Sequence, residues 1–172
     1  MSQLTPSWSW TEPEDTQIVC LTRKSAHELV KLGKTMHHDN SNIERYRRGL
    51  ELLEKLHGGH AGEAMVAELR DICPDFAEMV TIEWALGGIM ARPGLDLVSR
   101  QLVLISSCVT LGYAMPQLRA HTEAALEAGA TRQQIIETLL QLTFYAGGPA
   151  VRNALMLVKE VFRDFSQRPV SP

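Results

Sequence analysis

From residue 92 onward the chain is marked at short intervals by residues that stop one helix and start the next. Pro93-Gly94 makes a turn, and Asp96 stands where a helix N-cap is needed. Gly112 ends the run that follows, and Pro116 suits the first turn of the next helix, where its missing N–H costs nothing. Gly129 takes the position after a helix C-terminus, and Thr131 caps another helix, running to about Tyr145, with Gln134 at capping-box distance. Gly147-Gly148 breaks that helix and Pro149 opens the last. Between these marks apolar residues recur at helical spacing: Val151, Ala154, Leu155, Val158, Val161 and Phe162 form a clean stripe. No stretch alternates with period two. The pattern predicts an all-α fold of about seven or eight helices with short joints.

Upstream the punctuation is weaker. Residues 1–16 hold Pro6, Trp8, Trp10 and Pro13 without periodicity, either a loose tail or an arm whose indoles dock on a neighbouring subunit. A helix of uncertain start follows from Thr16 to about His38. His37-His38-Asp39 raises metal binding, but no second histidine stands at helical ligand spacing, so a solvated loop is expected and no metal site. Asn40 or Ser41, with Glu44, caps a helix carrying Ile43, Tyr46, Leu50, Leu53 and Leu56 on one face. His57-Gly58-Gly59-His60 is expected to end it. A further helix then runs from about Gly62 to Ile72, before Pro74. Asp75 is expected to cap a helix from Phe76 to Ile89 that is apolar all round, and so buried in the domain or at a subunit contact.

Composition narrows the function classes. The 172 residues are 45% hydrophobic and 22% charged, with a net charge of -3, an ordinary core and surface for one domain. Without a basic excess, neither nucleic acid nor an anionic membrane is an expected partner. No apolar run reaches the roughly 18–20 residues of a membrane helix, and the N-terminus lacks a signal-peptide pattern. Cys20, Cys73 and Cys108 are odd in number and widely spaced, which suits a reduced, cytoplasmic protein.

Few residues here suggest chemistry. His121 shares a helix with Arg119 and Glu123; taken alone, such a histidine is more often structural than catalytic. Arg92 and Arg100 flank the Pro-Gly turn and either converge on a ligand or serve a helix cap. Glu83 lies beside Trp84 on the apolar helix and needs a partner, for which Arg92 is a candidate; unpaired, it would hold its proton more tightly. Tyr145 precedes Gly147-Gly148 and would ordinarily pack. Cys108 is expected to be an inert core thiol.

The words Glu83-Trp84, Arg92-Pro93-Gly94-Leu95-Asp96, Ser99-Arg100-Gln101-Leu102-Val103, Leu118-Arg119-Ala120-His121, Gly129-Ala130-Thr131, Ile135-Ile136-Glu137 and Tyr145-Ala146-Gly147-Gly148-Pro149-Ala150 come in that order. In this order and spacing the chain resembles the carboxymuconolactone decarboxylase family, most clearly over residues 83–162. The resemblance implies an AhpD-like helical domain over residues 41–165, an added arm and helix over 1–40, and a polar tail over 166–172. In the family's peroxidase branch a CxxC precedes the histidine and a glutamate relays protons. Here those positions hold Ala114, Gln117 and, for the relay, a residue near Gln101, so dithiol chemistry is not available.

The decarboxylase branch keeps the histidine, uses no cofactor and acts on a carboxylated lactone in aromatic catabolism. Loss of CO2 leaves a carbanion that must spread into the lactone carbonyl, so the protein must grip carboxylates, stabilise an oxyanion and return a proton. The resemblance then implies His121 as proton donor or oxyanion partner, with Glu83 as orienting or acid group and Tyr145 as hydrogen-bond donor. Arg92, Arg100 and Trp84 would bind substrate. It also implies a homo-oligomer, trimer or hexamer. Two competing functions remain open: an isomerase, cyclase or lactone-processing relative on another small acid, and a non-enzymatic oligomeric scaffold.

Overall fold

The computed structural model describes residues 40–168 except residues 70 and 74, with the backbone alone for residues 40 and 58–67. The expected tryptophan arm, the helix from Thr16, the His37-His38-Asp39 loop and the end of the tail lie outside the described residues. Within them the fold is all helical: six helices and one short 3-10 turn, with no strand. They are α1 (Asn40–Glu68), α2 (Phe76–Met90), α3 (Leu97–Leu111), α4 (Met115–Glu127), α5 (Arg132–Gln141) and α6 (Gly148–Ser166).

The C-terminal four helices form as their punctuation directs. Asp96 accepts from the Ser99 backbone N–H at 2.9 Å, and Gly112 closes α3 in the left-handed region at φ 79°. Pro116 sits in the first turn of α4. Thr131 and Gln134 form the reciprocal capping box of α5. That helix stops at Gln141 rather than near Tyr145, because its last turn tightens into the 3-10 segment Leu142–Phe144. Ile105, Cys108, Leu118, Ala125, Ile135, Leu139, Val151, Ala154 and Val158 close into one apolar core between α3, α4, α5 and α6.

The first two helices depart from the sequence reading. Instead of breaking at His57-Gly58-Gly59-His60, α1 runs on to Glu68. Interior glycines cost a helix only about 1 kcal/mol each, and no proline is present there to remove a hydrogen bond. Its stripe behaves as expected: Leu53 and Leu56 are buried, with Tyr46 and Leu50 packed beside them. Asp75 makes no side-chain cap, and α2 is wound with π-type spacing, as in the Ala91 N–H bond to the Leu86 carbonyl at 3.0 Å.

Two glycines let α1 and α2 meet backbone to backbone. A Cβ on Gly49 would overlap the Ile82 carbonyl, and one on Gly87 the Arg45 carbonyl. Ile82, Leu86 and Met90 face α1 and join Leu53, Leu56 and Ala124 in a second core. The opposite side of α2 has no cover among the described residues: Phe76, Met79, Val80, Trp84 and Ile89 are exposed.

Candidate functional site

The polar centre of the chain lies where α4 crosses α3 and α1. Along α3 the buried positions Gln101, Ile105 and Cys108 fall at spacings of four and three, one face of a helix turned to α4. The first of them is a glutamine with 0% exposure. Its Oε1 lies 3.0 Å from Nδ1 of His121, which α4 presents one position before the fully buried Thr122. Thr122 satisfies itself by donating to the Leu118 carbonyl at 2.7 Å. The Gln101 Nε2 finds no acceptor among the described residues. Burying an unmet amide donor costs about 1–3 kcal/mol, so the glutamine is an expensive occupant of an apolar stripe.

Burial drives the His121 pKa down to about 4, helped by the field of His57 on α1. The imidazole is therefore uncharged at neutral pH. Burial also pushes His57 down, opposed by Glu123. Glu123 in turn is held by Arg168 at 2.8 Å. Three helices thus bring two imidazoles and one carboxamide close together. The sequence reading missed His57, taken as part of a helix end, and noted Gln101 only as the place of a missing relay acid. The signal for Gln101 was a lone amide in an otherwise apolar stripe; His57 had none.

The other predicted residues fall into separate groups. Glu83 pairs with Arg45 of α1 at 3.3 Å, not with Arg92, because the close α1–α2 contact brings Arg45 over it. Arg92 and Arg100 do come together, through the backbone: the Arg100 guanidinium donates to the Arg92 carbonyl at 2.7 Å and the Leu95 carbonyl at 3.0 Å. It pins the turn. Arg92 lines a groove of about 420 Å³ whose charged walls are of both signs, with Arg48 and Lys55 beside Glu51 and Asp96. Trp84 is 60% exposed and Tyr145 is 93% exposed. Arg119, beside His121 in sequence, is engaged by Glu160 at 2.8 Å and Asp164 at 3.4 Å. Cys108 is buried, and burial pushes its thiol up, as expected of an inert core residue. No group of three metal-ligating side chains gathers among the described residues.

Known proteins align with this region. Residues 74–160 match the carboxymuconolactone decarboxylase family, a span that includes Gln101, His121 and Arg92. A 4-carboxymuconolactone decarboxylase of Acinetobacter baylyi is 32% identical over 126 residues, 73% of this chain and 92% of that protein. A nitrosuccinic acid decarboxylase of Metarhizium robertsii is 28% identical over 133 residues, 75% of this chain and 92% of that protein. A 15.0 kDa Paracoccus denitrificans protein is 37% identical over 84 residues, 48% of this chain and 63% of that protein. On the family match and the length and identity of the first of these alignments, the chain belongs to the carboxymuconolactone decarboxylase family.

Proposed function

We propose that the protein is a cofactor-independent decarboxylase of a small carboxylic acid in aromatic catabolism, with γ-carboxymuconolactone as the substrate to test first. The observation that carries this reading is the partly buried His121, held at Nδ1 and uncharged at rest, within a family span shared with two named decarboxylases. Those two are named for decarboxylation of 4-carboxymuconolactone and of nitrosuccinic acid; chemically, a lactone carbonyl or a nitro group can take up the electron pair that CO2 leaves behind.

The steps are simple to balance. The bond between carbon and carboxylate breaks, CO2 departs, and the electron pair moves into the acceptor as an enolate or its nitro equivalent. A proton then returns to carbon. The resting ring of His121 accepts rather than donates, since its pKa is about 4. A bound carboxylate reverses this, because a nearby anion favours the imidazolium: the ring takes up a proton from water as substrate binds and then delivers it to carbon. Arg92, which lines an open groove with Arg48 and Lys55, is assigned the substrate carboxylate. Arg100 is assigned the turn that presents it.

Trp84 and Tyr145 enter this reading through assembly. The exposed apolar side of α2 suits burial against another copy, so we assign the protein a homo-oligomeric state, trimer or hexamer, readable by sedimentation. No helix among the described residues is long and apolar enough to cross a membrane, and the free thiols Cys73 and Cys108 suit a cytoplasmic location.

The test is release of CO2 from γ-carboxymuconolactone by the purified protein. His121→Ala is expected to lower kcat/KM by about 10²–10⁴-fold while the circular dichroism stays native. A product that keeps its carboxyl group would point to isomerisation instead. A folded alanine variant with undiminished turnover would remove His121 from the mechanism.

A further inference from the structure

We propose that Gln101 is a positioning residue for His121: it fixes the ring in the tautomer with its proton on Nδ1 and leaves Nε2 bare for the substrate. The functional half of this statement rests on the decarboxylase reading above.

Three observations meet at this residue. The position belongs to the face of α3 that also carries Ile105 and Cys108, where leucine or methionine would fill the same space. A glutamine kept for packing alone would gain nothing there and would leave its amide nitrogen unmet, as Nε2 is. What it offers beyond an aliphatic side chain is the carbonyl oxygen 3.0 Å from the ring. An oxygen at that place only accepts, so Nδ1 carries the proton and Nε2 the lone pair. The same contact favours the ring orientation that turns Nδ1 toward Gln101.

The choice of amide over acid sets the charge. A carboxylate at this distance would stabilise imidazolium and hold the proton before substrate is present. A neutral carboxamide does not, and the remaining surroundings do not replace it. From α1, His57 faces the ring and disfavours a second positive charge. On α4 itself, Glu123 is engaged by Arg168, and Arg119 by Glu160 and Asp164 of α6. The ring therefore waits as an acceptor, and the substrate supplies the charge that turns it into a donor.

The test uses the full chain labelled with ¹⁵N-histidine, without substrate, reading ring nitrogen shifts against pH. The wild-type protein should show His121 neutral at pH 7 with the proton on Nδ1. Gln101→Glu should raise the His121 titration midpoint by about two pH units. Gln101→Met, similar in volume, should let both tautomers populate; in turnover it should lower kcat about tenfold or more with little change in KM, and Gln101→Glu should shift the acid limb of the pH profile. A wild-type ring protonated on Nε2, or a Gln101→Glu titration unmoved from wild type, overturns the proposal. If Gln101→Met does not fold, the wild-type tautomer and the glutamate variant decide. Because these signals are read without turnover, a protein that releases no CO2 but shows them refutes the decarboxylase reading and leaves Gln101 as the pin.

Discussion

The α1–α2 pair and the α3–α6 block are built on different principles. In the block, each helix is started and stopped by its own residues, and large side chains fill one enclosed core. In the pair, two backbones touch through Gly49 and Gly87, and α2 is covered on one side only. The block is specified locally. The pair is specified by contact, and one apolar side of α2 lacks a cover among the described residues. A family fold can therefore hold a sharply defined framework and a softer flank in one domain.

The comparison can be broken most forcefully in the block. Ile135→Ala should cost about 2–5 kcal/mol, since Ile135 is fully buried at the centre of that core. Urea unfolding reads the loss, and a cost below 1 kcal/mol would mean the core relaxes around the gap. Acid comes next, because it acts where pair and block join. Below an ordinary histidine pKa near 6.5 the unfolded chain takes up protons, while the folded His121 ring resists until about 4. Stability should thus fall as pH drops through that window, by on the order of 3 kcal/mol, with His57 adding in the same direction. Replacing His121 by asparagine should flatten the slope of stability against pH; an unchanged slope would place the titrating group elsewhere.

Within the pair, Gly87→Ala should cost about 1–3 kcal/mol, because its Cβ has only backbone to displace. Gly88→Ala, one residue on, meets its nearest atom at 3.5 Å and should be tolerated. Equal effects at the two sites would show that α1 and α2 do not touch as described. The smallest change is Thr131→Ala, which removes the α5 cap for about 1 kcal/mol. Amide exchange should show that loss in α5 and not in α1.

What the sequence disclosed follows the same division. The Asp96 cap, the Gly112 stop and the Thr131–Gln134 box depend on neighbours in the chain, so their residue types announce them. The continuity of α1 does not, since two glycines end a helix only if nothing nearby holds it. Nor does the Glu83–Arg45 pair, which exists because Gly49 and Gly87 draw two distant segments together. At the site, His121 was visible through its family word. Gln101 was visible only as an absence, although its polarity in an apolar stripe was a positive sign. His57 became significant only once α1 was laid against α4. The side chains of Trp84 and Tyr145 stay largely exposed among the described residues, so their surroundings are set by no neighbour in the sequence.

One helix belongs to both constructions. Ala124 of α4 lies in the core shared with α1 and α2, while Leu118 and Ala125 lie in the core shared with α3, α5 and α6. A shaft seated in two bearings cannot roll about its axis without binding in one of them. The imidazole it carries inherits that stillness, so damage to either bearing, even remote from the ring, should register as loss of aim rather than loss of reactivity.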